Sequence, residues 1–563
     1  MNLWKNALSE KKRRIEQAQN LATWSLANLR LEGAPFSFKG HEYLRELYEC
    51  RHDYVVFEKA SQMGLSILAL SKAIWACHSH GLRTIYFFPT DRDVVRFSQD
   101  RFGRIVRESP NLAKIINESH KTSVPGKADN VHLRRIGDGT LYFMGLLYAA
   151  KNKNGRSGGN TKTIDADFLI FDELDEAQPR QKEAAKHRVD HSRFRWIMEL
   201  STPTIPEYGI DVEFRKSDQR YWLLKCPHCG SWNCVEDEFP KCLLRIDEET
   251  VILACKKCHL QLDPAAGEWV PRYSHMRKRR GYHLCQLYST CIDLNDVLNE
   301  FEDPNTDPAL FYNHRLGIPY IESGDRLSRE EIKSCFKDDT AGENHSPAFM
   351  GVDVHRKEFY VIITTPVQDG KMKVIYSGRV PVANNPVEEE FAGLSFLINK
   401  YNVERCVIDA QPETHTARRF AKAHPGLVYL CYYVSFRNKD VIWKEDDDGA
   451  SCRVNIDRVE SLDATIRMIK RHGLEIPFNG APLDELADHL HALVRTRRAD
   501  PGTGEQFFRY VSAGDDHFAH ALNYCRIAQE KGRENQRQTR IIITGKINSQ
   551  NDQFLEKGYI GYD

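Results

Sequence analysis

Hydrophobic and polar positions along residues 53–201 alternate between patterns typical of strands and patterns typical of helices. Five β-prone apolar runs predict strands at 53–59, 83–89, 139–149, 167–172 and 196–201. Residues 67–79 and 91–107, which lie between these runs, predict helices. Strands that alternate with helices predict an α/β domain with a mostly parallel sheet.

The same alternation returns after a polar, turn-rich stretch at 337–347. Predicted strands are 348–365, 373–380 and 404–409, and predicted helices lie near 388–401, 456–472, 483–495 and 516–530. Residues 499–506 form a strong turn signal between two β-prone arms, which predicts a β-hairpin. The chain is therefore expected to contain a second α/β domain.

Composition shifts divide the chain further. From about 215 to 275, short β-prone pieces, paired cysteines and turns interrupt the alternation. We expect six segments: an N-terminal helical segment (1–34), a first α/β core (35–215), a cysteine-bearing insert (216–275), a segment that completes the first domain and links it onward (276–345), the second α/β domain (346–530) and a polar tail (531–563).

Charge and composition narrow the class of protein. Among 563 residues, 79 are Lys or Arg and 79 are Asp or Glu, so the net charge is zero and any nucleic-acid-binding surface must be local. No apolar run reaches the ~18–20 residues that span a bilayer, which predicts no membrane partner. The 15 cysteines include two CxxC pairs, which favours metal binding in a reducing compartment over a disulfide framework.

A candidate phosphate-binding loop, KASQMGLS, follows the first predicted strand at 59–66. Such a loop needs a tight turn, a Lys, and a Ser or Thr for Mg²⁺ ahead of a helix. Gly64 permits the turn, and Ser66 is placed for Mg²⁺. Leu65 replaces the usual Lys, so Lys59 is the loop's only source of positive charge. The predicted nucleotide-binding residues of this loop are Lys59, Ser61, Gln62, Gly64 and Ser66; an ordinary strand–turn–helix is the alternative interpretation.

The strand at 167–172 supplies the second half of an ATP-hydrolysing site. It ends in Asp172, predicted to hold Mg²⁺ through water, and Glu173, predicted to orient or deprotonate the attacking water. Ser201 and Thr202 follow another strand and are candidates for coupling hydrolysis to movement. Arg156 is a possible arginine finger; a solvated loop arginine is the alternative.

The two CxxC pairs predict a zinc site. Cys226, Cys229, Cys255 and Cys258 supply four thiolates, which suits tetrahedral Zn²⁺ in a closed structural site. The spacer between the pairs is slightly longer than usual, so an extra hairpin is expected within it. Unrelated free cysteines and a redox CxxC are the alternatives.

Acidic residues spread over the last third predict a second metal site. Asp353 lies in a first strand, Asp409 ends a later one, and the pair Asp515-Asp516 opens a late helix. This order is that of RNase H-like nucleases, in which such carboxylates hold two divalent metals. Asp353, Asp409 and Asp516 are the predicted catalytic ligands of Mg²⁺ or Mn²⁺, with Asp515 as an alternate or supporting ligand. Solvated acids at strand ends are the alternative.

Together these residues resemble the large subunit of a tailed-phage terminase, the DNA-packaging motor, over roughly 35–530. The resemblance is greatest to the lambda-like branch, which carries its Lys at the front of the phosphate loop, like Lys59, and an aliphatic or aromatic residue at the position of Leu65. A paired-cysteine insert and segments similar to 281–289 and 316–320 also occur there. One departure is Gly514, where many terminases have His, and this leaves the choice between Asp515 and Asp516 open.

The resemblance implies fold, function and partners. The fold class would be α/β multidomain: a P-loop ATPase domain with a parallel sheet, an inserted zinc ribbon and a C-terminal RNase H-like nuclease domain. The function would be ATP-driven translocation of double-stranded viral DNA into the procapsid, with metal-dependent endonucleolytic cutting of the concatemer. The cofactors would be ATP, Mg²⁺ or Mn²⁺, and Zn²⁺. Double-stranded DNA, the small terminase subunit, the portal protein and further copies in a ring would be its partners, in the host bacterial cytoplasm.

Other functions remain as alternatives. A helicase-nuclease of DNA repair or restriction should carry a second RecA-like domain with its own Arg motifs, and none is evident between 215 and 345. A transposase-like recombinase would need only the acidic trio and would leave the phosphate loop unexplained. A non-enzymatic zinc-ribbon scaffold would need neither acidic set.

Overall fold

A computed structural model of the chain divides into two compact units, Met1–Glu322 and Ser323–Asp563. The residues that it describes are 20–121, 130–146, 164–177, 179–247, 249–322, 324–337, 347–355, 357–367, 371–383, 390–411, 414–434, 441–444, 452–477, 483–499 and 506–532. Arg156 and the polar tail from 533 onward lie outside the described residues.

The first unit is built on one large sheet. Strands of this unit are β1 (Arg30–Leu31), β2 (Ala34–Pro35), β3 (Tyr54–Lys59), β4 (Arg83–Phe88), β5 (Leu133–Ile136), β6 (Gly139–Gly145), β7 (Phe168–Asp172), β8 (Trp196–Ser201), β9 (Arg220–Lys225), β10 (Trp232–Asn233), β11 (Leu243–Arg245), β12 (Val251–Leu253), β13 (Gly267–Pro271) and β14 (Arg280–Leu284). In the described part of the chain, ten of them form a sheet of order β10-β9-β14-β3-β8-β7-β4-β6-β5, with β13 paired to β9. The central strands β14, β3, β8, β7, β4 and β6 are mutually parallel, which confirms the predicted parallel α/β sheet.

Helices cover this sheet. They are Leu21–Asn28, Leu44–Glu49, Leu65–His80, Asp91–Arg96, Gly103–Glu108, Pro110–Lys121, Pro179–Lys186, Ile210–Arg215, Val235–Glu238, Leu294–Glu302 and Pro308–Phe311, with π-helical turns at Phe97–Phe102 and Tyr312–Leu316 and 3-10 turns at Leu174–Glu176, His187–Val189 and Gln286–Tyr288. The helix predicted at 91–107 thus contains a π-helical segment, which the sequence pattern did not indicate.

Alternating side chains of the central strands bury both faces of the sheet. Val55 and Phe57 of β3 belong to one apolar core, whereas Val56 between them belongs to the core on the opposite face. Strand β7 is buried over its whole length, as expected for a strand covered on both faces. The cysteine-bearing segment is continuous with this sheet, because β9 pairs with both β13 and β14.

The second unit contains a mixed sheet and a separate hairpin. Strands of this unit are β15 (Phe336–Lys337), β16 (Ala348–Val354), β17 (Glu358–Pro366), β18 (Met372–Pro381), β19 (Val403–Asp409), β20 (Val428–Tyr433), β21 (Ile442–Lys444), β22 (Arg453–Ile456), β23 (Leu474–Pro477), β24 (Leu493–Ala499) and β25 (Gln506–Ser512). Among the described residues, nine of them form a sheet of order β15-β23-β18-β17-β16-β19-β20-β22-β21. Strands β24 and β25 pair antiparallel, as the turn signal at 499–506 predicts.

Helices pack on both faces of the second sheet. They are Arg329–Lys333, Ala392–Tyr401, Thr414–Ala423, Arg458–Lys470, Leu483–Ala492 and residues 517–532. The last of these crosses β16 at Gly351, where a Cβ atom would lie 2.0 Å from the carbonyl oxygen of Ala521 and 2.3 Å from the nitrogen of Cys525. Only glycine permits this close approach, which brings the start of the helix beside the end of β16.

None of the helices in the described ranges is long and apolar enough to cross a membrane.

Candidate functional site

The predicted phosphate loop is a turn between β3 and the helix Leu65–His80. Gly64 precedes the helix with φ of +78°, a left-handed conformation that glycine adopts without strain. The loop is held from outside, because the N–H of Ala60 donates to the carbonyl of Leu284 at 2.7 Å and that of Ser61 to the carbonyl of His314 at 2.9 Å. Gln62 is exposed in the turn, with φ of +60°.

Lys59 joins three predicted motifs at one end of the sheet. Its Nζ lies 3.3 Å from Oε1 of Glu173 and 3.3 Å from Oγ1 of Thr202. Lys59 is the last residue of β3, whereas Glu173 and Thr202 directly follow β7 and β8. These three strands are neighbours in the parallel sheet, so the carboxyl ends of the strands lie at the same edge. The Lys59 side chain is buried, whereas that of Glu173 is 44% exposed and open to a substrate.

Asp172 is buried beside this contact. The hydroxyl of Tyr86 donates to its Oδ2 at 2.6 Å, and the next residue, Glu173, has φ of +51°. Burial, and then the negative charge of Glu173, raise the pKa of Asp172 to about 6, although Lys59 opposes this shift. A carboxylate that is desolvated and next to another carboxylate favours a cation as partner.

A cavity of about 670 Å³ opens at this edge of the sheet. Ser66, Asp172 and Glu173 line it, whereas the other predicted loop residues do not. Its remaining lining includes four arginines that the sequence analysis missed: Arg96, Arg101, Arg104 and Arg107. These arginines recur every three to five residues in the predicted helix 91–107. This spacing indicates a basic helix face, but the sequence does not show that the face lines a cavity.

The coupling candidates contact a further carboxylate. The Oγ of Ser201 accepts the N–H of Asp175 at 3.2 Å. The buried Asp175 carboxylate in turn accepts the N–H and the hydroxyl of Thr204 at 2.8 and 2.7 Å and the N–H of Ile210 at 2.7 Å. Asp175 therefore connects the loop after Glu173 to the segment after Thr202 by hydrogen bonds. The sequence analysis did not predict this role, because Asp175 is one of several acids in the run DELDE.

The four predicted cysteines converge. The Sγ atoms of Cys226 and Cys258 are 3.6 Å apart, as are those of Cys229 and Cys255, and all four lie within 4.8 Å of one another. Tetrahedral Zn²⁺ with Zn–S bonds of ~2.3 Å requires S···S separations of roughly 3.8 Å, so the four sulfurs fit that ion.

The backbone around the cysteines repeats the same turn twice. The N–H of Gly230 donates to the carbonyl of Cys226, and the N–H of His259 to that of Cys255, each at 2.9 Å. Gly230 and His259 both have left-handed φ values, +69° and +58°. Two equivalent knuckles therefore face each other, which is the arrangement that a shared ion requires.

In the second unit, Asp353 and Asp409 lie on the adjacent parallel strands β16 and β19. Burial raises the pKa of Asp409 to about 6. The hydrogen bond from the N–H of Gln411 lowers this pKa, and the negative charge of Asp353 raises it. Nδ1 of His517 lies 2.7 Å from Oδ2 of Asp353. The two carboxylates thus share one electrostatic environment.

Asp516 stands at the start of the last helix and has partners of its own. It accepts a short hydrogen bond from the hydroxyl of Ser512, and its Oδ2 lies 3.2 Å from Nε2 of His520. The bond from His520 and its charge, then the bond from Ser512 and the more distant Arg458, hold the pKa of Asp516 well below its usual range, despite its burial. Asp515 is exposed.

Asp353, Asp409 and Asp516 lie near one another, but their carboxylate oxygens do not converge as closely as the cysteine sulfurs do. Of the described side chains, only the four cysteines bring three or more ligand atoms within 4.8 Å of one another. Asp353 contacts His517 and Asp516 contacts His520. The ring of His520 also lies 3.2 Å from the hydroxyl of Tyr433.

Known proteins resemble this chain in part. Residues 32–271 match the family model for the phage terminase large subunit gpA, ATPase domain. No curated protein sequence matches the chain.

Solved structures of phage terminases are also similar. The HK97 bacteriophage large terminase shows 10% identity and a TM-score of 0.47, over 90% of this chain and 98% of that one. The large terminase ATPase domain of a Thermus phage shows 14% and 0.30, over 51% and 99%. The large terminase nuclease from thermophilic phage G20c shows 13% and 0.23, over 35% and 94%.

Proposed function

Because residues 32–271 match the ATPase-domain family of the phage terminase large subunit, we propose that this chain hydrolyses ATP to drive double-stranded viral DNA into a procapsid and cuts the DNA concatemer with a separate nuclease site. The observation that carries the proposal is the meeting of Lys59, Glu173 and Thr202 at the end of the parallel sheet. The carboxylate site of the second unit supports the nuclease half.

In the proposed ATP site, the phosphate loop from Lys59 to Ser66 holds the nucleotide phosphates. Lys59 supplies positive charge, Ser61, Gln62 and Gly64 shape the turn, and Ser66 with Asp172 would hold Mg²⁺, whose charge offsets that of the phosphates. Asp172 fits a cation, since its pKa is raised by burial and by Glu173.

Glu173 orients the attacking water and accepts its proton. The water oxygen bonds to the γ-phosphorus while the bond to the β–γ bridging oxygen breaks, and ADP leaves with that electron pair. A phosphate group that reaches Lys59 competes with the contacts at 3.3 Å to Glu173 and Thr202. Nucleotide binding would thereby release both side chains, Glu173 for catalysis and Thr202, with Ser201, for coupling to movement.

In the proposed nuclease site, Asp353, Asp409 and Asp516 would hold Mg²⁺ or Mn²⁺ in an RNase H-like fold. Two such ions, held by these carboxylates, would offset their mutual repulsion and would stabilise the leaving oxygen of the cut phosphodiester. His517 and His520 hold two of these carboxylates in place. Asp515 is the supporting acid, in keeping with its exposure.

Zn²⁺ is proposed as a structural ion on Cys226, Cys229, Cys255 and Cys258. Four thiolates leave no position open for a reacting group, so the ion would stabilise a zinc ribbon within the insert. The domain limits predicted from the sequence are part of the same proposal, except that residues 324–337 belong to the second compact unit, where β15 pairs with β23.

The partners follow from the proposed function. They are double-stranded DNA, the small terminase subunit, the portal protein of the procapsid and other copies of this chain in a ring. The site of action is the cytoplasm of the host bacterium.

Two assays on the purified full chain test the proposal. Mg²⁺-dependent phosphate release from ATP should fall by orders of magnitude in Glu173→Ala and stay unchanged in Glu49→Ala, which alters an exposed glutamate of the same unit. Plasmid cutting with Mg²⁺ or Mn²⁺ should be lost in Asp353→Ala and kept in the exposed control Asp484→Ala, while ATP hydrolysis survives in both. Wild-type turnover in Glu173→Ala, or undiminished cutting in Asp353→Ala, contradicts the assignment of the respective site.

A further inference from the structure

We propose that Arg101 contacts the terminal phosphate of the bound nucleotide, so that the same chain supplies the arginine that stabilises the transition state. This inference rests on the ATP hydrolysis proposed above. Arg156 lies outside the described residues, so the expectation for it stays a prediction.

The first observation is the composition of the cavity. Ser66, Asp172 and Glu173 line it together with the four arginines of the segment 96–107. A volume of about 670 Å³ is large enough for a nucleotide. Three further carboxylates, Asp93, Asp100 and Glu176, also line the cavity, so groups of both charges surround it. A nucleotide bound with Mg²⁺ suits such a lining, because its phosphates need positive partners and its metal ion needs carboxylates.

The second observation is that the guanidinium N–H groups of these arginines have no protein acceptor among the described residues. Within the described part of the chain, none of Arg96, Arg101, Arg104 and Arg107 forms an ion pair or a hydrogen bond through its side chain. A planar guanidinium carries five N–H donors whose geometry matches phosphate oxygens. An exposed arginine whose N–H groups have no protein acceptor keeps these donors available for a ligand.

The third observation singles out Arg101 among the four. Its guanidinium lies 5.7 Å from the centre of the Phe97 ring, and that ring packs 5.2 Å from the Tyr86 ring. The Tyr86 hydroxyl donates to Asp172. A continuous set of contacts therefore joins Arg101 to the predicted Mg²⁺ ligand.

The backbone supports the same choice. Arg101 lies within the π-helical turn Phe97–Phe102, whereas Arg104 and Arg107 belong to the α-helix that follows. The additional residue in a π-helical turn shifts the direction of the side chains around it, and such turns occur often at functional sites. The turn therefore distinguishes Arg101 from its neighbours on the same segment.

The chemistry explains why an arginine is needed here. Negative charge on the γ-phosphate oxygens is redistributed as the bond to ADP breaks, and a fixed positive charge stabilises that transition state more than the bound ATP. Lys59 occupies the opposite end of the phosphate loop from the usual Lys position, which Leu65 fills. A second cation from outside the loop would therefore stabilise the charge on the γ-phosphate that Lys59 alone does not cover.

The test compares Arg101→Ala, Arg101→Lys and the control Arg92→Ala in the full chain. Arg92 is exposed on the same helical segment and is not part of the cavity lining. Turnover of ATP with Mg²⁺ and the dissociation constant of a fluorescent ATP analogue are measured for each, with circular dichroism as the check on folding. Arg101 is exposed, so the variants should fold like the wild type.

We expect Arg101→Ala to lower kcat by at least about 100-fold while the dissociation constant changes less than about tenfold, because the contact strengthens in the transition state. The kcat of Arg101→Lys should lie between those of Arg101→Ala and the wild type. Lysine keeps the positive charge but lacks the paired N–H donors of the planar guanidinium. Equal turnover in Arg101→Ala and Arg92→Ala overturns the inference, as does a loss confined to DNA-stimulated turnover, which would assign Arg101 to DNA phosphates. A wild-type chain without turnover overturns the proposed ATPase itself.

Discussion

Replacing Asp175 with Ala should loosen the segment that follows Ser201 and Thr202, the predicted coupling residues. Asp175 is 1% exposed and accepts three hydrogen bonds, from the N–H and hydroxyl of Thr204 and from the N–H of Ile210. Ala provides no acceptor, so all three donors lose their partner. Ile210 is fully buried, whereas Thr204 is half-buried and can recruit water.

The magnitude follows from this difference in burial. An unsatisfied buried donor costs about 1–3 kcal/mol, and the partly solvated Thr204 donors cost less. The expected total is about 2–4 kcal/mol of local stability, which corresponds to a roughly 30- to 1,000-fold larger equilibrium constant for opening of this segment. Because the cost is local, residues on the far side of the sheet should change little.

Amide hydrogen exchange measures that opening at named residues. The amides of Thr204 and Ile210 should lose protection in Asp175→Ala, while Asp138→Asn, a change at an exposed position of the same unit, should leave them unchanged. Unaltered protection at both amides in Asp175→Ala would refute the role assigned to these hydrogen bonds.

The size of the effect should also depend on pH. Burial is the largest cause that raises the pKa of Asp175 to about 7, from about 3.9 in an unfolded chain. A raised pKa means that the folded chain holds the proton more tightly, so this group stabilises the wild type most at low pH and loses that contribution as pH rises towards 7. The difference between wild type and Asp175→Ala should therefore be larger at pH 5.5 than at pH 8.

Four further outcomes are expected. Leu65→Lys should restore ATP turnover to Lys59→Ala if a lysine at either end of the loop serves the phosphates, and continued inactivity would show that only the position of Lys59 is productive. Cys226→Ser should reduce zinc from one ion per chain to none and lower the folding yield, whereas Cys291→Ser, at an exposed free cysteine, should do neither. Asp516→Ala should abolish plasmid cutting, and the exposed Asp515 should tolerate Ala better; a larger effect of Asp515→Ala would move the predicted ligand by one residue. Deletion of 535–563 should abolish packaging in a reconstituted assay and preserve ATP turnover and cutting, because this tail follows the last described helix, 517–532.

Local patterns in the sequence predicted those parts of the site that lie close together along the chain. The predicted phosphate loop lies directly between β3 and the helix Leu65–His80, and Asp172 and Glu173 lie at the end of β7. Each CxxC pair places its two sulfurs on one turn, so the spacing alone indicates a ligand pair. Such features depend on the backbone conformation of a few residues, which residue type and periodicity report.

Only the tertiary structure decided which distant residues meet. Lys59 and Thr202 are 143 positions apart, and they touch because β3 and β8 are neighbours in the sheet. The order of strands in a sheet is set by non-local pairing and by the burial of both faces, neither of which has a period along the chain. The same reason explains why the place of Arg101 in the cavity, the hydrogen bonds of Asp175 and the histidine partners of Asp353 and Asp516 were not evident from the sequence.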